Sequence, residues 1–232
     1  MRPADSMHKH LRALYVFDDN DRIVSCNQFS GGPVPRFHLA RTTEGNLWAF
    51  RHDVGGEVIE KIERLAQQEP PLDKPDSPPA FEQEYSEIFC QTEAIEAVWH
   101  GPAYRFPLAM APHANEVVDI TEANKECLRT YMDDWLIDVG HRAPFVAMIE
   151  NGQAVAVCAS SRISLAAHEA GVETAPQFRH KGYAARAATA WAHAVAAQGA
   201  VPLYSTSWDN LASQALAKKL SLVFIGSDYH IR

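Results

Sequence analysis

Around residue 175 the chain places small, basic and acidic residues in an order that suits the handling of a phosphorylated ligand. Gly171-Val172-Glu173-Thr174-Ala175 reads as a strand that ends at Pro176. The turn Gln177-Phe178-Arg179-His180-Lys181-Gly182-Tyr183-Ala184 then opens an alanine-rich stretch with helical character. The first N–H groups of a helix lack intrahelical partners and carry the positive end of the helix dipole. Arg179 and Lys181 add charge, and Gly182 lets phosphates come close to the backbone. Ala184, Ala185, Ala187 and Ala188 keep the first turns thin. One reading is a pyrophosphate seat. The other is a tight turn ended by glycine, with two solvated basic residues. Just upstream, Glu169 and Glu173 fall on one face of the strand by two-residue alternation, and His168 falls on the other. Either carboxylate could accept a proton from an attacking group. Each could equally be a solvated charge on a strand edge.

The elements that must position these residues can be read along the chain. Residues 11–17 and 22–26 are apolar runs around Asp18-Asp19-Asn20-Asp21, a hairpin signal, and residues 36–42 and 46–51 flank a second one at Glu44-Gly45. Val58, Ile59, Ile62 and Leu65 have helical spacing within residues 56–68. Residues 70–79, PPLDKPDSPP, exclude helix interior and central strand, and predict a stiff surface connection. A short helix is expected over 81–91, and residues 101–107 look irregular. The pattern then predicts a strand at 117–120 and a helix over 121–139, with Cys127, Leu128, Tyr131, Trp135, Leu136 and Val139 as its inner face. Strands at 144–150 and 153–163 surround Asn151-Gly152, the strongest hairpin signal in the chain. A strand at 170–175 is followed by a helix at 184–198 closed by Gly199, a strand at 202–208, a helix at 210–220 and one or two strands over 222–231. Trp191, Val195 and Cys158 read as core, His193 as a surface or partly buried histidine, and Trp208 as either packing or cleft lining.

Composition narrows the class. With 232 residues, 47% hydrophobic and 22% charged, the chain has the profile of a soluble globular protein rather than a disordered or fibrous one. The longest unbroken apolar run, residues 154–159, is far too short to span a bilayer, and residues 1–14 contain no apolar signal core. The net charge of −8 argues against nucleic acid and anionic membrane partners, which reward clustered Lys and Arg. Cys26, Cys90, Cys127 and Cys158 are far apart and form no C-x-x-C pair, so they are expected as reduced thiols in a cytoplasmic protein. The scattered histidines have no ligand spacing, and no metal site is expected.

The string RHKGYA, residues 179–184, has the form R-x-x-G-x-A and follows a strand and a proline. It resembles motif A of the GNAT superfamily of N-acetyltransferases. A second match follows: a strand at 202–208, the helix start Asn210-Leu211-Ala212-Ser213, and the exit Lys219-Leu220-Ser221-Leu222-Val223-Phe224. The order of elements from residue 117 onward is also similar, so the resemblance covers about the C-terminal half. It implies an α/β fold with a GNAT-like mixed, mostly antiparallel sheet and flanking helices, carried by residues 111–232. Residues 1–110 would form an N-terminal α/β region of unassigned role.

The resemblance further implies acetyl-CoA as co-substrate. The pantetheine arm would pair with backbone at Val172 and Thr174, much as an added strand does. The pyrophosphate would sit on Arg179, His180, Lys181, Gly182, Tyr183 and Ala184, and Asn210 and Ser213 would lie beside the cofactor tail. Asn210 could also simply cap its helix. A small-molecule or peptide amine would attack the thioester, with Glu173 or Glu169 as the base and a backbone N–H near Thr174 supporting the developing oxyanion. Many family members place a tyrosine acid seven residues after the motif asparagine, where this chain has Ala217. Tyr183, Tyr204 and Tyr229 are the alternatives. A non-catalytic acyl-CoA sensor, an interaction module that binds no nucleotide, transfer of a longer acyl group, and a homodimer all stay open.

Overall fold

The computed structural model describes residues 1–109 and 116–232. The first helix, α1 (Pro3–Leu14), starts at a proline with Asp5 in its first turn, and runs directly into the hairpin β1 (Tyr15–Phe17) and β2 (Ile23–Cys26). The expected strand over 11–17 is thus helical through Leu14. The missed signal is a face of Met7, His10 and Leu11, where a polar residue interrupts the apolar spacing. The second hairpin is β3 (Phe37–Thr42) and β4 (Gly45–Phe50), followed by α2 (Gly56–Ala66) and α3 (Glu82–Cys90). Between them residues 70–79 form no regular element. Buried Glu69 ties this segment down by accepting from the N–H groups of Ala80 and Phe81 and from the Tyr85 hydroxyl.

Next comes β5 (Val98–Arg105), where residues 101–107 read as irregular. The misleading signal is Gly101-Pro102. A Cβ at residue 101 would lie 2.0 Å from the Thr206 carbonyl oxygen and 2.6 Å from the Trp99 ring, so the glycine marks a close approach inside a sheet rather than a turn. Then follow β6 (Val117–Asp119), β7 (Phe145–Glu150), β8 (Gln153–Ile163), β9 (Ala167–Thr174), α4 (Tyr183–Ala197), β10 (Val201–Ser205), α5 (Leu211–Lys219) and β11 (Val223–Ile231). The helix expected over 121–139 is instead two short 3-10 turns, Lys125–Leu128 and Asp133–Asp138. Leu128, Met132 and Val139 are buried, but Thr130, Tyr131, Asp133 and Asp134 have poor helix propensity and the helix does not propagate through them.

Among the described residues nine strands form one sheet in the order β4-β3-β11-β5-β10-β9-β8-β7-β6, mixed and mostly antiparallel, in which β9 and β10 pair parallel. The two halves of the chain exchange strands. β5 lies between β10 and β11, and the last strand, β11, pairs with β3. The expected boundary at residues 110 and 111 falls among residues outside the description, and the sheet's hydrogen bonds run across it. Helix α4 packs Ala187, Ala188, Trp191 and Val195 against β7, β8 and Tyr204 of β10. Alanine at the contact lets the helix lie close to the strands. Helix α1 buries Met7 and Leu11 with Ala103, Leu203 and Ile225, in a core separate from that of α4. Helices α2 and α3 cover Phe37, Leu39, Tyr229 and Ile231. No helix among the described residues is long and apolar enough to cross a membrane.

Candidate active site

The two parallel strands part company. β9 and β10 pair at Ala167–Val201, His168–Pro202 and Glu169–Leu203, and no further, although β9 continues to Thr174. The Ala175 N–H donates to Val155 O at 3.0 Å, just before β8's Ala156–Thr174 pairing. Backbone polar groups alternate along a strand, so Val172 and Thr174 turn theirs away from β8 and toward the gap. The Thr174 hydroxyl is buried beside that gap with no hydrogen-bond partner.

At the wide end of the gap the chain turns through Pro176–Phe178, a 3-10 turn, into α4. His180 and Gly182 adopt left-handed conformations, φ 64° and 82°. Gly182 is the N-cap and offers no side-chain acceptor, and the first intrahelical bond is Arg186 N–H to Gly182 O at 3.2 Å. The N–H groups of Tyr183, Ala184 and Ala185 therefore have no intrahelical partner and face an anion site. Across from them, Asn210 caps α5 by accepting from the Ser213 N–H at 3.0 Å, and the Ser213 hydroxyl is hydrogen-bonded to the Tyr204 hydroxyl. Capping and cleft lining coexist at Asn210.

A cleft of about 690 Å³ joins these features. Val172, Glu173, Thr174, Arg179, His180, Gly182, Tyr183, Ala184, Asn210 and Ser213 all line it. Lys181 does not. It lies 4.9 Å over the Phe178 ring and 3.8 Å from Glu150. Phe178, Leu216 and Lys219 are among the lining residues that sequence reasoning does not place there. A Cβ on Gly182 would sit 3.3 Å from Lys219 Nζ, so the last turn of α5 brings a cation over the helix start. In the sequence Lys219 is only a favourable charge at a helix C-terminus.

The two acidic candidates have different surroundings. Glu173 is exposed at the cleft and accepts from Trp135 Nε1 at 2.6 Å. Glu169 occupies the last position paired with β10 and is 3% exposed. Its Oε2 accepts from the Ser205 hydroxyl at 3.2 Å, and its Oε1 lies 2.5 Å from His10 Nδ1 of α1. His10 Nε2 lies 2.6 Å from Asp228 on β11, and Asp228 also meets His38 Nε2 at 2.9 Å. Burial alone would drive the His10 pKa down, but the two adjoining carboxylates override it and hold the pKa well above the ordinary histidine value. Burial works against an ionised Asp228 too, and the two imidazoles reverse this and keep its pKa far below the ordinary range.

Among the tyrosine alternatives, Tyr204 lines the cleft and burial raises its pKa, so it keeps its proton. Tyr183 stands at the helix start with Arg186 4.7 Å over its ring. Tyr229 is buried in the α2–α3 cluster, away from the cleft, with its pKa pushed up to about 12 by burial. Ala217, Trp191, Val195 and Cys158 are buried, and the four cysteines are unbonded. Trp208 donates from Nε1 to His100 Nε2 at 3.2 Å. Among the described residues no three His, Cys, Asp or Glu side chains are grouped to hold a metal.

A mixed sheet wedged open between its two parallel strands, with a phosphate-type helix start at the mouth of the wedge, is the architecture of a GNAT domain. Residues 143–230 match the family model described as GNAT acetyltransferase. The match spans 88 of the 232 residues, and this region carries the likeness to GNAT acetyltransferases. It is similar in fold to a putative GNAT-family acetyltransferase from Novosphingobium aromaticivorans, with a TM-score of 0.50 and 17% identity over 59% of this chain and 65% of that one. The match therefore spans less than two thirds of that relative. A GCN5-related N-acetyltransferase-like protein from Streptococcus suis matches at TM-score 0.50 and 14% identity over 99% of both chains, so the N-terminal half shares in the fold likeness. A GNAT-family acetyltransferase from Colwellia psychrerythraea matches at TM-score 0.50 and 11% identity, over 93% of this chain and 83% of that one. No curated protein matches the sequence.

Proposed function

We propose that this protein is a cytoplasmic, acetyl-CoA-dependent N-acetyltransferase that acts on a small-molecule or peptide amine. One observation carries the reading. The free edge of β9, the uncapped start of α4 and the carboxylate of Glu173 all lie along one cleft, and the buried carboxylate of Glu169 stands at the last β9–β10 pair, where the splay begins. The residues fit the co-substrate. Backbone groups of Val172 and Thr174 offer strand-like pairing to an amide-bearing arm, and the orphaned Thr174 hydroxyl offers one more bond. Gly182, Tyr183 and Ala184 present N–H groups to a pyrophosphate, with Arg179 and Lys219 for charge.

Bound acetyl-CoA supplies the activated acetyl thioester. An arm laid along β9 from Thr174 to Ala170 covers ~13 Å of strand, which carries its reactive end to the apex. Glu169 is the carboxylate there, whereas Glu173 stands beside the middle of the arm. Glu169 is thus the stronger of the two base candidates that the sequence offers. The acceptor arrives as an ammonium and must lose a proton before it attacks. Its proton passes to the Ser205 oxygen while the Ser205 proton moves to Glu169 Oε2, along the bond already present. The Val172 N–H, turned into the gap, stabilises negative charge on the carbonyl oxygen. As the C–S bond breaks, Tyr204 protonates the departing thiolate, where the family's usual tyrosine is replaced by Ala217, and it recovers a proton, the second one that the new amide nitrogen loses.

Ala217 also favours a second reading, an acyl-CoA sensor without turnover. Calorimetric titration with acetyl-CoA, followed by thiol release in the presence of an amine panel, separates the two. Micromolar binding with amine-dependent release supports the enzyme. Binding without release in any panel member overturns it in favour of the sensor, and no binding overturns both. A parallel panel of longer acyl-CoA thioesters tests the acyl group.

A further inference from the structure

Helix α1 carries a histidine on its buried face at the place where β9 and β10 part. His10 is fully enclosed, and carboxylates from two strands meet its ring nitrogens, Glu169 of β9 and Asp228 of β11. An ionised carboxylate can only accept, so His10 donates from both nitrogens as an imidazolium. The bonds continue without a mismatch. His38 Nε2 donates to Asp228 at 2.9 Å, and the Tyr15 hydroxyl of β1 donates to His38 Nδ1 at 2.9 Å. At the other end the Ser205 hydroxyl donates to Glu169. Arg162 of β8 and Cys26 of β2 act on this cluster through Tyr15, His230 of β11 acts on it through His38 and Asp228, and His100 of β5 acts on it through Asp228.

Stability alone does not account for such a group, because apolar side chains of similar volume commonly serve a core at least as well as buried ions. Its end at the splay is the informative one. The chain of bonds finishes at Glu169 Oε2, on the last residue paired across the wedge. It leaves one net negative charge there, which a cationic amine would neutralise. We infer that His10 is a positioning residue for acyl transfer: with Asp228 behind it, it holds the Glu169 carboxylate fixed and aimed at the apex to receive a cationic amine. Helix α1, outside the family-matched residues, is then a working part of the site. This rests on Glu169 as the proton acceptor, and the test separates the two claims.

The experiment uses the full chain with acetyl-CoA and spermidine, tyramine or benzylamine as probe acceptors, following thiol release and the Kd of acetyl-CoA. Glu169→Gln should lower kcat by ~100-fold, in the range of lost general-base catalysis. His10→Gln should lower kcat by ~10-fold or more and leave the acetyl-CoA Kd within about twofold, because His10 touches only the far side of the base. In the Glu169→Gln background, His10→Gln should cost less than about twofold further, since there is no carboxylate left to aim. If His10→Gln alone does not fold, His10→Gln with Asp228→Asn removes the uncompensated second charge and carries the same comparison. Glu169→Gln at full activity overturns the base assignment. Loss of rate in Glu169→Gln, with no loss in His10→Gln or with fully additive losses, overturns the positioning role alone. No thiol release with any probe overturns both.

Discussion

Replacing Gly182 with aspartate puts a carboxylate at the start of α4, where the proposed pyrophosphate would sit. The residue has φ 82°, and its Cβ would lie 3.3 Å from Lys219 Nζ. Two effects separate cleanly. Any L-residue at this φ costs roughly 1–2 kcal/mol of backbone strain, and Gly182→Ala carries that cost without charge. Gly182→Asp adds repulsion between like charges. At ~5 Å and an effective dielectric near 20, this is ~3 kcal/mol for one unit of phosphate charge, or roughly 150-fold in Kd. The new carboxylate also pairs with Lys219 and withdraws it from the ligand. Titration calorimetry with acetyl-CoA should therefore show Gly182→Asp at least ~100-fold weaker than Gly182→Ala. The gap should shrink in 1 M salt, where the screening length falls to ~3 Å. If Ala and Asp bind within about threefold of each other, no anion is held at this helix start and the cofactor assignment is wrong.

Lys219→Ala should weaken acetyl-CoA binding by ~10-fold, the scale of one charge-assisted hydrogen bond, with Tm unchanged, measured by the same titration. Tyr204→Phe should lower kcat by roughly 100-fold in single-turnover thiol release and leave the acetyl-CoA Kd near that of the wild type, if its hydroxyl protonates the thiolate. The His10–Asp228 pair predicts a pH dependence of stability. The raised His10 pKa contributes stability that is complete below 6.5 and is lost as pH rises through its elevated native value. The lowered Asp228 pKa contributes stability that is complete above 3.8 and is lost as pH falls through its depressed native value. Scanning calorimetry should find the pair's contribution whole between 3.8 and 6.5, and Asp228→Asn should flatten the decline of Tm above pH 6.5.

How much of the site was legible depends on how local its signals are. The turn from Arg179 to Ala184 was readable because a left-handed glycine, a preceding proline and a run of alanines each constrain the backbone within a few residues. Asn210 was readable for the same reason, since its side chain answers an N–H three positions on. The segment over 121–139 misleads because its apolar spacing suits a helix while its residues do not propagate one, and packing of Leu128, Met132 and Val139 settles the outcome as two short turns.

The hairpins, the alanine-rich helix, the anion-binding turn and the GNAT resemblance are all legible in the residues alone. Each of these is a backbone preference or a short motif, expressed over a few neighbours. Only the tertiary structure decided that β5 runs through the middle of the sheet, that Lys219 reaches over Gly182, and that Glu169 rather than Glu173 stands at the apex. It alone joined His10 to Glu169 and Asp228, partners 159 and 218 residues away in the chain. Such pairings leave no local trace, because they form when a helix at one end of the chain packs on strands from the other.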